Sequence, residues 1–300
     1  METGLFLTIC AAAAFGFSDV NIRKAASQTG ESFTGVVITA FIGLPIFAAI
    51  VFLRGEWSIL LGISCRALIL LGLTGIIHFV AGRFLAYNAF RLIGANKSGA
   101  FLRTFPIYAV IFGVFFLNET LTVFILLGVL CIVGGAVLVS TETKSVREKK
   151  RRGFSGKEFK GIIAGLGGAL CWGTSPILIK PAVREIGSSF VGAFVSYMVA
   201  FIIMTCFLFM GHYRKQIMQL RLQKGFIPLM VGSFSLSTAV LLYYTALRYS
   251  PANMVAPLLG TSIFFVFFFS FLINRNIEIF TFKIALGMLV TALGAFLILH

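Results

Sequence analysis

Four ionisable side chains stand out inside the long apolar stretches of this 300-residue chain: Asp19, His78, Arg83 and Arg103. Each guanidinium at the centre of a bilayer costs roughly 2.5–3.5 kcal/mol on insertion scales, so two of them need a reason. Anion binding is one, because guanidinium forks hold carboxylate, sulfonate or phosphate groups by paired charge-assisted hydrogen bonds. Two other readings stand beside it. Asp19 can pair with either arginine to offset burial, and a long arginine stem can carry its head out to the headgroup layer. His78 is of the type that titrates near neutrality, so His78 and Asp19 are candidates for proton coupling, and His78 also for substrate contact; a hydrogen-bonded packing histidine is an equal reading. His78 sits about 140° around a helix from Arg83, so the two do not share a face.

Tyr87, Trp172, Tyr197 and Tyr244 are the aromatic candidates for substrate contacts, against the commoner use of such rings in apolar helices as packing or interfacial anchors. Thr174, Ser175, Ser233, Ser235, Ser237, Thr261 and Ser262 add uncharged polarity to the second half. Hydroxyls of this kind bind a substrate hydroxyl, a neighbouring helix or their own backbone. The glycine-rich GLGGALCWG (165–173) has no strand before it and lies in an apolar run, which favours close helix packing over a nucleotide loop. The five cysteines have neither metal-ligand spacing nor a disulfide pattern. No Ser/His/Asp set, phosphate loop or metal cluster is legible, so the reading is of a non-enzyme without a cofactor.

The elements that must position these groups follow from composition. Hydrophobic residues make up 59% of the chain and charged residues 12%, against about 45–50% and about 25% in soluble domains. The solvent for such a chain, with its 34 phenylalanines, is a bilayer. The formal charge of +15 does not point to nucleic acid. The basic residues gather in one stretch, KSVREKKRRGFSGKEFK (144–160), and at the edges of apolar runs, where cytoplasmic loops collect positive charge.

A window of about 20 apolar residues gives ten spans, near 4–22, 33–53, 67–91, 97–117, 121–139, 161–182, 190–211, 225–249, 253–273 and 280–299. The first lacks a positive n-region and is read as a retained helix rather than a signal peptide. The chain also repeats itself. AYNAFRLIGAN (86–96) and YYTALRYSPAN (243–253) share Tyr, Ala, Arg, Ala and Asn, each 157 positions apart, and Phe15, Gly16 and Ser18 match Trp172, Gly173 and Ser175 at the same offset. After a two-residue slip, Glu119, Gly128, Gly135 and Ala136 match Glu278, Gly287, Gly294 and Ala295. The organisation is a first five-span repeat (1–139), a basic linker (140–160) and a second repeat (161–300). An odd number of spans forces the second copy to enter from the opposite face, which makes the repeats inverted, with substrate expected at the midplane between halves. Ser235, Val240 and Gly260 stand where the first copy has His78, Arg83 and Arg103. The scaffold tolerates the loss of those cations, so their role lies beyond folding. Arg83 and Arg103 each lie ten residues from the turn near Ile93, at equal expected depth.

In this order, these motifs resemble the EamA branch of the drug/metabolite transporter superfamily. The likeness is carried by the helix ends FGFSD (15–19) and WGTSP (172–176), the ALRY block (246–249), Pro106 inside the fourth span, NETL (118–121) and the glycine-rich VLCIVGGAVLV (129–139). The second copy departs, with NRNIE (274–278) in place of NETL and Pro257 earlier in its span. The resemblance implies an all-α polytopic membrane protein whose spans 1–4 and 6–9 enclose a cavity. Spans five and ten would be peripheral and would pack subunits into a homodimer. It also implies a secondary active transporter working by alternating access in a prokaryotic cell (inner) membrane, coupled to a proton or a counter-substrate. Relatives move amino acids, sugars, sugar phosphates, nucleotide sugars and amphipathic drugs. The two arginines favour an anionic metabolite; export of neutral or cationic amphiphiles or amino acids is the alternative, and a channel or a polytopic membrane enzyme ranks below both. Orientation stays open. Charge bias puts the linker in the cytoplasm, whereas the resemblance puts the termini there.

Overall fold

The computed structural model describes residues 2–29, 33–93, 95–142, 156–209, 225–273 and 282–300. The centre of the basic linker (143–155), the segment 210–224 and the NRNIE stretch with Glu278 lie outside them. The described residues are helical, with no strand among them. In chain order the helices are α1 (Glu2–Thr29), α2 (Phe33–Leu53), α3 (Trp57–Leu61), α4 (Cys65–Thr74), a π-helix (Gly75–Gly82), α5 (Arg83–Ile93), α6 (Ala95–Leu102), α7 (Phe105–Leu117), α8 (Val123–Glu142), α9 (Gly156–Ile186), α10 (Ser189–Leu208), α11 (Phe226–Tyr249), α12 (Ala252–Leu258), a 3-10 turn (Leu259–Thr261), α13 (Ser262–Ile273) and α14 (Phe282–Leu299). Among the described residues eight helical stretches are long and apolar enough to cross a membrane, and Val37–Leu53 and Val123–Val139 are two shorter apolar helices. Together they occupy the ten expected spans. Helices outrun those spans, α1 to Thr29 and α9 from Gly156 to Ile186, because backbone hydrogen bonding continues past the hydrocarbon edge. The short α3 was not legible as an element in the sequence.

Large side chains such as Leu53, Phe115 and Leu289 are mostly exposed. On a soluble monomer such patches would be a liability; in lipid they are the solvated face. Hydrocarbon gives helices no hydrophobic reason to associate, so packing rests on close approach and interhelical hydrogen bonds.

The residues fall into two compact units that cut across the sequence repeats: Met1–Ala81 with Leu178–Ser250, and Gly82–Ile177 with Pro251–His300. In the first unit α1 lies antiparallel on α11. Ser18 Oγ donates to Gly232 O at 2.8 Å and Ser235 Oγ to Ala14 O at 2.8 Å. Gly4 leaves room for Ser250. α2 packs on α10 and α11, and α10 on α4. Two N-cap serines clasp the loops at one end. Ser64 accepts from Ala67 N–H at 3.0 Å and donates its own proton to Glu185. Ser188 accepts from Val191 N–H at 3.1 Å and donates to Glu56. The loop after the second span thus meets the loop after the sixth, so the second span of one repeat ends where the first span of the other ends. Inversion requires that meeting.

In the second unit α8 and α14 meet through glycine. A Cβ on Gly135 would stand 2.4 Å from Gly287 O, and one on Gly294 2.6 Å from Gly128 O. Spans five and ten therefore commit these glycine faces to each other within one chain. α7 packs on α12, and the NETL motif makes that junction. Asn118 closes α7 in the left-handed region (φ 51°), a conformation asparagine tolerates. The Glu119 carboxylate then accepts from Ala252 N–H and Asn253 N–H, both at 2.7 Å. Asn253 Nδ2 donates to Thr120 O at 2.8 Å, and Thr122 Oγ1 accepts from Ile125 N–H at 3.2 Å to start α8. One repeated motif, SPAN, is thus tied to NETL of the other half.

Candidate functional site

Among the described residues three spans depart from regular α-helix, and the basic residues sit at two of the departures. In the third span the α-ladder gives way to the π-helix Gly75–Gly82. Just before the change Ser196 Oγ, from α10, donates to Leu71 O at 3.0 Å, a carbonyl that also accepts from Gly75 N–H. A Cβ on Gly75 would come within 2.6 Å of Ser196 O, so glycine is needed for this approach. π turns inside α-helices are frequent at functional sites. His78 lies on this turn and Arg83 directly follows it. The matching span, α11, is regular throughout, so neither the π turn nor its cations are repeated.

The fourth span breaks between α6 and α7. Pro106 has no N–H to offer Leu102 O, and Thr104 Oγ1 donates instead to Phe101 O at 2.6 Å. Arg103 occupies the break. The ninth span breaks at the matching place, in the 3-10 turn Leu259–Thr261 beyond Pro257, with Gly260 at the Arg103 position. Discontinuous spans of this kind build substrate sites in secondary transporters.

In the second unit, Arg83 is only 7% exposed, and Arg103 is half-buried. Gly82, beside Arg83, faces the indole of Trp172, whose ring atoms lie 2.9 Å from where a Cβ would be. Gly173 faces Phe105 O and Tyr108, just beyond Arg103. Both cationic segments therefore pack at the level of Trp172–Gly173 on α9. Tyr87 is one turn on from Arg83, half-buried, its ring 5.9 Å from that of Phe90.

The other candidates belong to the first unit. His78 is half-buried and leads a chain of rings: His78 to Phe79 at 4.6 Å, Phe79 to Tyr197 at 4.4 Å, and Tyr197 to Phe47 at 4.6 Å. Tyr197 is held tightly, since a Cβ on Gly43 would fall 2.3 Å from its ring. Tyr244 is fully buried, its ring 6.3 Å from that of Tyr243. Asp19 is half-buried and forms no ion pair among the described residues, whose salt bridges include Arg54–Glu56 at 2.8 Å and Arg66–Glu185 at 3.9 Å.

The hydroxyls are mostly spent on helices. Thr174, Ser175 and Ser237 donate to Leu170 O, Cys171 O and Ser233 O, four residues back. Ser235 crosses to α1. Sequence reasoning passed over Lys180, which is 6% exposed on α9. Its signal was present: one cation in ILIKPAV, near the end of an apolar run. The π turn left no compositional trace. No group of three or more His, Cys, Asp or Glu among the described residues could hold a metal ion.

Apolar helical spans in duplicate, the fourth and ninth of them interrupted, define a multi-pass membrane protein. The chain belongs to the EamA-like transporter family, which matches it twice, over residues 2–141 and 159–300. Members of the drug/metabolite transporter superfamily move small molecules across membranes, and a membrane transporter is what this chain is. No curated protein matches it. A solved structure described only as "Crystal structure of protein" shares the fold at a TM-score of 0.76 and 15% identity, covering 99% of this chain and 96% of the other.

Proposed function

We propose that the protein is a secondary active transporter of a small anionic metabolite bearing a carboxylate, sulfonate or phosphate, working by alternating access. One observation carries this reading. A nearly fully buried arginine, Arg83, follows a π turn inside a membrane span, and a second, Arg103, fills a helix break packed at the same level of α9. A helix break frees backbone groups for a ligand, and an arginine fork supplies paired donors. Trp172 and Tyr87 are the neighbouring rings. His78, with Asp19, is the candidate for proton coupling. Support for a functional role comes also from the repeat: the ninth span keeps the break but has glycine at Arg103's place. The test is counterflow in proteoliposomes with anionic metabolites. Arg83→Gln and Arg103→Gln should each weaken anion affinity at least tenfold. Unchanged affinity in both variants, or wild-type counterflow of a cationic amphiphile alone, would overturn the anionic reading.

A further inference from the structure

The first unit carries an apolar groove that the transport reading does not use. A cavity of about 500 Å³ opens between α1, α2 and α11, lined by Phe17, Ile42, Met230, Phe234, Ser235 and Thr238 among others. Its two hydroxyl protons are already committed, Ser235 to Ala14 O at 2.8 Å and Thr238 to Phe234 O at 3.3 Å. The walls are otherwise hydrocarbon, and Phe234 is 60% exposed. The α1 and α11 walls lie within the spans Glu2–Ile22 and Phe226–Tyr249, so the groove opens at hydrocarbon depth. An apolar chain is the occupant that such a wall accepts.

The groove also has a polar end. The residues 230–238 lie about 6–18 Å along α11 from its first residue, at 1.5 Å per residue. Lys24 stands one heptad beyond Phe17 on α1, on the same helix face and roughly 10 Å nearer the end of the span. Ala25 beside it packs with Leu229, so Lys24 lies at the level of the first turn of α11. A cation at the membrane surface above a hydrocarbon slot has the pattern of an anionic headgroup and its tail.

We propose that this groove seats an acyl tail of an anionic phospholipid from the leaflet at the N-terminal end of α11, with its phosphate at Lys24. The seated tail completes the packing of α1, α2 and α11, where Ala25, Ile38 and Leu229 already form a small core.

Tail-brominated lipids test this by quenching tryptophan. Phe234→Trp places a reporter in the groove, with the signal of the native Trp57 and Trp172 subtracted using the unsubstituted protein. In bilayers of neutral lipid, brominated phosphatidylglycerol should half-quench the reporter at about fivefold lower mole fraction than brominated phosphatidylcholine, the advantage expected of one lysine near the surface. Lys24→Gln in the reporter protein should abolish that preference while leaving quenching by both lipids. Met230→Trp, one turn nearer Lys24, provides a second reporter should the first misfold. Unbrominated phosphatidylglycerol should restore the signal. Equal half-quenching by the two lipids, a preference that survives Lys24→Gln, or restoration by a cationic amphiphile but not by phosphatidylglycerol would overturn the proposal.

Discussion

Replacing Glu119 probes the joint between the fourth and ninth spans. Its two carboxylate oxygens each accept a backbone N–H from the first turn of α12, at 2.7 Å. Hydrogen bonds to a charged group contribute about 1.5–3 kcal/mol each. Glu119→Ala removes both and leaves two helix-end donors without their acceptor, a loss of about 3–6 kcal/mol. Glu119→Gln keeps one acceptor oxygen but gives up the second and the charge that favours a helix N-terminus, so about half of that loss is expected. For a chain of this length a kcal/mol moves the melting temperature by about 2 °C. Thermal unfolding of the purified protein in detergent should therefore fall by about 6–12 °C for Glu119→Ala and about 3–6 °C for Glu119→Gln. Asn253→Ala, which loses one neutral bond to Thr120 O, should cost about 1 kcal/mol. A Glu119→Ala protein that melts with the wild type refutes the clamp. Equal losses for Gln and Ala refute the two-bond account of it.

Neighbouring glycines in α8 should behave oppositely. Gly135→Ala drives a methyl into Gly287 O and Thr291 and should lose about 1–3 kcal/mol by thermal unfolding, whereas Gly134, with open space around its Cβ position, should accept alanine with no loss. Ser188→Ala removes both the cap of α10 and the bond to Glu56, and should cost about 1–2 kcal/mol by the same measurement. Gly43→Ala collides with the Tyr197 ring, so its transport rate and melting temperature should fall together; a transport defect with unchanged melting would mean that Tyr197 serves the substrate path rather than packing.

How much of this was readable beforehand divides by the range of the interaction. The class, the spans and the duplication were legible because hydrocarbon screens residues one at a time, so a sliding window recovers them. The motifs were legible as words without their grammar. NETL and SPAN could be quoted from the sequence, yet that Glu119 holds the N–H groups of Ala252 and Asn253 depends on two loops about 130 residues apart meeting at one membrane face. Arg83 and Arg103 stood out because charge in an apolar run is conspicuous. Lys180, as buried as Arg83, did not stand out, since a lysine near a helix end reads as a boundary until its burial is known.

The sequence alone determined a ten-span, twice-written chain for the bilayer, its inversion following from an odd span count, and the set of cations that the second copy does not repeat. Only the tertiary structure decided where helices stop being regular. The π turn before Arg83 starts where Ser196, from another helix, comes against Leu71 O and Gly75, and the use of α8 and α14 depends on Gly135 facing Gly287 and Gly128 facing Gly294. Both are contacts between residues far apart in the chain. Local composition carries no information about such contacts, because any of several helix faces satisfies the same hydrocarbon, and only close packing of backbone on backbone selects one.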